Sequence, residues 1–132
     1  MQTRRLQNRL VLIVDDDEDI LSSIELAMRA EGASTRTAAD GNAALVACQE
    51  FEPDAVVLDM MLPKRSGFLV LEKIVEQDDP PVVVMLTANQ GKRHQAYAHS
   101  IGVHAYLNKP VSLDRLIETI AGLLENSIED DD

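Results

Sequence analysis

Five side chains in this sequence could perform chemistry together. Three are the carboxylates of Asp15, Asp16 and Asp59, and the others are the Thr87 hydroxyl and the Lys109 amine. Three carboxylates that lie together repel one another unless a cation is present, and Mg²⁺ is a hard divalent ion that prefers oxygen ligands. Thr87 and Lys109 supply a hydroxyl and a point charge that suit phosphate oxygens. Asp59 is then a possible nucleophile that accepts a phosphoryl group as an acyl phosphate.

The elements that must position these side chains follow from the spacing of apolar residues. Strand-length runs predict strands at 10–14, 33–38, 55–58, 82–86 and 103–107. Helical spacing and stop signals predict helices at 18–31, 40–50, 67–77, 90–100 and 113–125. This alternation requires long right-handed crossovers, and therefore a doubly wound α/β fold with a five-stranded parallel sheet and helices on both faces. Ligands of such folds bind at the carboxyl ends of the strands, where the five side chains are predicted to meet.

Length and composition restrict the class of protein. At 132 residues the chain fits one domain, and its 45% apolar and 27% charged residues are ordinary globular proportions. With 12 basic and 23 acidic residues its net charge is −11, which disfavours direct binding to nucleic acid. No apolar run reaches the ~18 residues of a membrane span, and the amino end lacks a secretory signal. We therefore expect a cytoplasmic chain without membrane contact.

Charge and periodicity divide the chain into three predicted segments. Residues 1–8 form an N-terminal extension, residues 9–125 form the folded domain, and residues 126–132 form an acidic tail without apolar periodicity. The single cysteine, Cys48, excludes an internal disulfide, and its place in a predicted helix indicates a buried apolar group. A zinc site is not favoured by the spacing of the three histidines, His94, His99 and His104.

Five segments of the sequence resemble, in order and spacing, the receiver domains of bacterial two-component response regulators. They read VLIVDDDEDI, ADGNAAL, VVLDMMLPKRSG, MLTA and GVHAYLNKP. The resemblance covers roughly residues 9–125 and implies the flavodoxin-like strand order 2-1-3-4-5. It also implies a function, that of a phosphorylation-dependent switch in two-component signal transduction.

The same resemblance implies a role for each residue of the predicted site. Asp59 is implied to be the phosphoacceptor, in a Mg²⁺-dependent reaction that the domain assists without acting as an enzyme on external substrates. Asp16 is implied to bind Mg²⁺ directly and Asp15 through water. Asp59 and the backbone carbonyl of Met61 are implied to complete the protein ligands, and Lys109 is implied to contact the phosphoryl group.

A conformational switch and a set of partners are also implied by the resemblance. Thr87 would contact the phosphoryl group and shift toward it, and Tyr106 would turn inward, altering the surface made by the fourth helix, fifth strand and fifth helix. That surface would bind a downstream protein target or output domain, or form a homodimer. The phosphodonor would be a phosphohistidine on a sensor histidine kinase or a histidine phosphotransfer protein. The Lys109-Pro110 peptide bond is expected to be cis.

Two departures from the family pattern bear on the site. Met61 lies two positions after Asp59, and Asn89 lies two positions after Thr87, on the route of the attacking water. Because an apolar Met61 cannot orient that water, we expect a long-lived phosphoryl state, which hydrolysis within seconds would contradict. Residues 64–67 bring two basic side chains where the family commonly has an acidic one, which indicates either a different choice of donor or a merely solvated loop.

Other functions remain open on the sequence alone. An aspartate-nucleophile phosphatase usually carries a second Asp two residues after the nucleophile, where this chain has Met61. A flavin or nucleotide binder would use a glycine-rich phosphate loop that the sequence lacks. The fold could also serve as an interaction module that is never phosphorylated. The chain could act alone or as part of a longer regulator or hybrid kinase.

Overall fold

The computed structural model describes residues 4–88 and 91–130, along which five strands alternate with five helices. The strands are β1 Leu10–Val14, β2 Ser34–Ala38, β3 Ala55–Leu58, β4 Val82–Thr87 and β5 Ala105–Asn108. The helices are α1 Glu18–Ala30, α2 Gly41–Phe51, α3 Gly67–Val75, α4 Lys92–Ile101 and α5 Leu113–Asp130. The strands form one parallel sheet in the order β2-β1-β3-β4-β5, which confirms the predicted doubly wound fold.

Helices cover both faces of the sheet because the central strands are apolar on both sides. Alternate residues of β1 divide between two cores. Val11 and Ile13 pack with α1 and α5, whereas Leu12 and Val14 pack with α2, α3 and α4. Strands β3 and β4 are buried along their whole length, as their unbroken apolar runs predicted. None of the helices in the described ranges has the length and apolar character that a membrane crossing requires.

Side-chain caps begin the three helices that follow β1, β2 and β3. The side chains of Asp17, Asp40 and Ser66 accept hydrogen bonds from backbone N–H groups in the first turns of α1, α2 and α3. Asp40 is thereby confirmed as the predicted cap of α2. Asp17 is one member of the acidic run from Asp15 to Asp19, and its cap role accounts for it without any chemistry at the site.

The observed elements end within two residues of their predicted bounds, with α5 as the exception. Helix α5 continues to Asp130 instead of ending at residue 125, because no Gly or Pro interrupts residues 126–130. The segment predicted as an acidic tail, 126–132, is therefore helical as far as Asp130. Its last two residues, and the predicted start of α4 at residue 90, lie outside the described residues.

Part of the predicted N-terminal extension packs against the domain. Leu6 is fully buried in the core that faces α1 and α5. Its backbone N–H donates to the Glu31 carbonyl at 2.9 Å, just beyond the end of α1. Arg5 pairs with the carboxylates of Glu31 at 3.1 Å and Asp114 at 2.9 Å. The segment therefore joins the end of α1 to α5 and shares the core of residues 9–125.

Candidate functional site

The carboxylates of Asp15, Asp16 and Asp59 meet at the carboxyl edge of the sheet, as the sequence predicted. Strands β1 and β3 are neighbours with Val14 opposite Leu58, so the residues that follow them lie side by side. The Asp59 N–H donates to the Val14 carbonyl at 3.0 Å and extends this pairing past the strand ends. One carboxylate oxygen from each of the three Asp residues lies within 4.8 Å of the others.

Lys109 supplies the positive charge of this cluster from the loop after β5. Its Nζ lies 2.6 Å from Asp15 Oδ2 and 3.7 Å from Asp59 Oδ2. Asp15 and Asp59 are buried, at 3% and 6% exposure, whereas Asp16 is exposed. One ammonium cannot neutralise three carboxylates, so the site keeps a net negative charge. The peptide bond between Lys109 and Pro110 is cis, which confirms the prediction.

The surroundings of Asp59 disfavour its charged form. Burial raises the pKa of Asp59 above its ordinary value, and the carboxylates of Asp15 and Asp16 add to that rise. The Lys109 ammonium opposes it, as does the Met61 backbone N–H, which lies 3.4 Å from Asp59 Oδ1. A further cation at the cluster would therefore reduce the repulsion among the three carboxylates, which Lys109 offsets only in part.

The loop that follows Asp59 folds back so that Gly67 contacts the backbone of Asp59 and Met60. The Gly67 N–H donates to the Met60 carbonyl at 2.9 Å. A Cβ atom on Gly67 would lie 2.3 Å from the Asp59 carbonyl oxygen and 2.7 Å from Met60 Cα, distances that real Cβ contacts essentially never reach. Glycine is therefore required to fix the chain path beside the candidate nucleophile. Sequence analysis missed this role, although a glycine next to the capping Ser66 was an available signal.

Thr87 and Tyr106, the residues predicted to switch, lie on the neighbouring strands β4 and β5. Thr87 is fully buried at the last position of β4, and its carbonyl accepts a hydrogen bond from the Lys109 N–H at 2.8 Å. Tyr106 is 9% exposed, and its Oη donates a weak hydrogen bond to the Met60 sulfur at 3.9 Å. The ring therefore lies inward in this structure, and its burial raises the pKa of the phenol.

The backbone of Met61 lies close to Asp59, whereas its side chain lies outside the cores. Its backbone N–H lies 3.4 Å from Asp59, whereas its side chain is 67% exposed and contributes to neither core cluster. The predicted effect of this side chain on the attacking water stays a prediction. Asn89, the second residue predicted to line that route, lies outside the described residues.

The arrangement fits a hard divalent cation bound through oxygen. Its candidate ligands are carboxylates alone, with no sulfur or imidazole among the three, and they come from two adjacent strand ends. Lys109 lies close enough to Asp59 to neutralise an oxyanion bound beside it. The site can therefore bring together a cation, an oxyanion and a buried carboxylate nucleophile.

The sequence profile of the family described as "Response regulator receiver domain" matches residues 11–121. The chain is 34% identical over 117 residues to the probable transcriptional regulatory protein TcrX of Mycobacterium tuberculosis, covering 89% of this chain and 50% of TcrX. It is 36% identical over 114 residues to the transcriptional regulatory protein PrrA of Mycobacterium bovis, covering 86% and 49%. The chain thus spans about half the length of the curated relatives it matches. Its fold is similar to a CheY-like response regulator receiver domain protein from Methanospirillum hungatei, with TM-score 0.90, 27% identity and coverage of 94% and 99%.

Proposed function

The chain belongs to the response regulator receiver domain family, a family of signalling domains, and from this premise we propose that it is a phosphorylation switch with Asp59 as its phosphoacceptor. The observation that carries the proposal is the buried Asp59 carboxylate, which lies beside the Asp15 and Asp16 carboxylates and 3.7 Å from the Lys109 amine. A nucleophilic carboxylate needs these companions, because charge accumulates on the phosphoryl oxygens during transfer.

Asp59 acts in this proposal as the nucleophile toward a phosphohistidine. A carboxylate oxygen attacks phosphorus, an O–P bond forms and the P–N bond breaks, and the bonding electron pair leaves with the imidazole nitrogen of the donor. Lys109 neutralises charge on the transferred phosphoryl oxygens, and the Thr87 hydroxyl donates to one of them. The product is an acyl phosphate on Asp59. The domain is proposed to assist this transfer and its reversal by water, without turning over external substrates.

The proposed Mg²⁺ ligands are the carboxylates of Asp16 and Asp59, the carbonyl of Met61 and, through water, the carboxylate of Asp15. Bound Mg²⁺ would offset the negative charge shared by the carboxylates and the phosphoryl oxygens. Asp15 is paired with Lys109 at 2.6 Å, so the two cations compete for this carboxylate. Lys109 would then be able to contact the phosphoryl group when a bound Mg²⁺ weakens its pairing with Asp15.

Response regulators interact with histidine kinases and output domains, and we propose such partners for this chain in the cytoplasm. The donor is a sensor histidine kinase or a histidine phosphotransfer protein. An apolar cavity of about 620 Å³ adjoins Lys109 between α1 and α5, lined in part by Ile20, Ile24 and Leu116, and supports protein docking beside Lys109. With a net charge of −11, this chain is proposed to act by protein contact rather than by binding nucleic acid or membrane.

The proposed output is a change in the surface of α4, β5 and α5. Thr87 moves toward the phosphoryl group, and Tyr106 is held in the inward position that its burial and its contact with Met60 support. The altered surface then engages a downstream protein target, an output domain or a second copy of the chain.

The test is the intact mass of the chain after incubation with Mg²⁺ and acetyl phosphate. We expect an increase of about 80 Da, one phosphoryl group, in the native chain and none in Asp59→Asn. Asp78→Asn, an exposed carboxylate outside the cluster, is the matched control and should be phosphorylated like the native chain. Chelating Mg²⁺ should abolish the gain. An increase that survives in Asp59→Asn would refute the assignment, and no increase under any donor would favour an unphosphorylated interaction module.

A further inference from the structure

The β3–α3 loop, residues 59–66, carries the Met61 carbonyl, and much of the loop is exposed. Met61 is 67% exposed, and none of residues 61–66 is buried. Leu62 packs partly buried against the core that faces α2, α3 and α4, and the other side chains of residues 61–66 add little burial that would fix the backbone of the loop. A metal ligand supplied by a backbone carbonyl nevertheless needs a fixed chain path, because groups outside the coordination sphere orient the ligands.

The amino end of α2 meets this loop by close backbone contact at Gly41. The Gly41 N–H donates to the Pro63 carbonyl at 3.4 Å. A Cβ atom on Gly41 would lie 2.4 Å from the Arg65 carbonyl oxygen and 2.5 Å from Arg65 Cβ. Helix and loop therefore approach each other at a distance that only glycine allows.

Two polar pairs flank this contact. Lys64 Nζ lies 3.6 Å from Asp40 Oδ2 on one side of Gly41, and Arg65 Nε donates to Asn42 Oδ1 at 3.2 Å on the other. The Lys64 side chain is 65% exposed and that of Asp40 22%, and the Arg65–Asn42 pair is exposed, so each pair adds little free energy alone. Together they set the position of the loop against α2 and engage both basic residues that the sequence left without a definite role.

We propose that the amino end of α2, residues 40–42, is a positioning element of the phosphoryl-transfer site that holds the β3–α3 loop and thereby the Met61 carbonyl. The inference rests on the proposed function. Residues 40–42 contact the loop at residues 63–65, so they act on the Met61 carbonyl through it. The affinity for Mg²⁺ is therefore expected to depend on Gly41.

The test compares Gly41→Ala with Gly122→Ala, where no atom lies within 4 Å of the added Cβ. Both variants put alanine, the better helix former, into a helix. Isothermal titration calorimetry gives the Mg²⁺ dissociation constant, and circular dichroism gives the melting temperature without metal. We expect Gly41→Ala to weaken Mg²⁺ binding about tenfold, the size typical of lost support around a metal site, and Gly122→Ala to leave it unchanged.

Phosphorylation by acetyl phosphate provides the readout that a fold defect would not mimic. In Gly41→Ala the half-saturating Mg²⁺ concentration should rise by the same factor, and saturating Mg²⁺ should restore the native rate. Unchanged Mg²⁺ affinity overturns the inference. A rate that stays low at saturating Mg²⁺ together with a lowered melting temperature also overturns it, because that pattern describes damage to the fold.

A second variant adds no atoms to the contact. Asn42→Ala/Lys64→Ala removes both flanking pairs, and we expect Mg²⁺ binding about threefold weaker, the effect of two exposed polar pairs. Native affinity in this double variant counts against the inference even where Gly41→Ala does not fold. Failure of the proposed function is distinguishable: a native chain that is never phosphorylated refutes that function, while weaker Mg²⁺ binding in Gly41→Ala still supports the positioning role.

Discussion

Both edges of the sheet carry polar side chains, and the amino edge uses them to complete the backbone. There the Asp54 carboxylate accepts a hydrogen bond from the Leu10 N–H at 2.8 Å, and His104 Nδ1 accepts one from the Val83 N–H at 3.0 Å. Each of these groups satisfies a donor where a strand begins. Both side chains thus serve the backbone of the fold.

At the carboxyl edge the polar side chains also face one another. Asp15, Asp59 and Lys109 are joined at 2.6 and 3.7 Å, and Asp16 completes the cluster. The amino edge is also acidic around a cavity of about 620 Å³, lined in part by Glu52, Asp54, Asp78 and Asp79. Within the described part of the chain, however, the cluster with Asp59 is the group of three acidic residues whose oxygens converge. Convergence and burial, rather than the number of carboxylates, distinguish a candidate site.

Among substitutions that test the difference between the two edges of the sheet, Lys109→Met is expected to have the largest effect. The change leaves the buried Asp15 carboxylate without its cation, so the free energy of unfolding without metal should fall by about 2 kcal/mol. Mg²⁺ should then raise the melting temperature more than in the native chain, because Lys109 no longer competes for Asp15. Phosphorylation should be lost even at saturating Mg²⁺. Urea unfolding with and without Mg²⁺, together with intact mass, measures all three quantities.

Lys73→Met is the matched control, since its ion pair with Glu76 is exposed and 4.0 Å long. Its unfolding free energy should stay within about 0.5 kcal/mol of the native value. An equal stabilisation by Mg²⁺ in the native chain and in Lys109→Met would show that the amine does not restrain Asp15.

A smaller effect is expected from Asp54→Ala at the amino edge. The Leu10 N–H loses its acceptor, so the free energy of unfolding should fall by about 1 kcal/mol in urea titrations. Asp54→Asn keeps an oxygen acceptor and should recover most of that loss. Mg²⁺ affinity and phosphorylation should be native in both variants. A change in Mg²⁺ affinity would break the distinction between the two edges.

The smallest effect is a pH dependence at His104. Nδ1 accepts the Val83 N–H only while the ring is neutral, and burial lowers the pKa of His104 from its ordinary value of 6.5. As the pH falls, His104 is therefore protonated in the unfolded chain before it is protonated in the folded chain. The stabilisation by the Val83–His104 hydrogen bond is present above about pH 6.5 and is lost as the pH falls below it. Between about pH 8 and pH 5, the native melting temperature should fall more than that of His104→Gln. Parallel pH profiles would contradict this role.

Much of the fold could be predicted because apolar periodicity reports burial directly. The unbroken runs of β3 and β4 belong to strands buried on both faces, and Asp40 marks the start of α2. The burial of Leu6 could not be predicted, because one apolar residue among polar neighbours has no periodicity. The continuation of α5 to Asp130 was missed because an acidic, weakly apolar segment is read as a tail even though it contains no helix breaker.

The candidate site also has features that the sequence predicts and features that it does not. Asp15, Asp59 and Lys109 follow strands, so their convergence follows from the parallel topology alone. The contact of Gly41 involves Arg65, which is distant in the sequence, and no local pattern encodes it. Local sequence reports which residues can react, whereas the close approach of chains that holds them is a property of the folded molecule.

Helix α4 is attached to the domain more lightly than α3. It buries Ala98 fully, whereas the shorter α3 buries Gly67, Val70, Leu71 and Ile74. Its links to α3 run through Phe68, whose ring stacks on His94 at 6.0 Å and meets Tyr97 edge-on at 5.0 Å, and through the Tyr97 hydroxyl, which donates to Glu72 Oε1 at 3.1 Å. Its amides should therefore exchange with solvent deuterium through local opening, well below the free energy of global unfolding. Each ~1.4 kcal/mol that the proposed phosphorylation would add to or remove from the free energy of this opening would change the population of the open state tenfold.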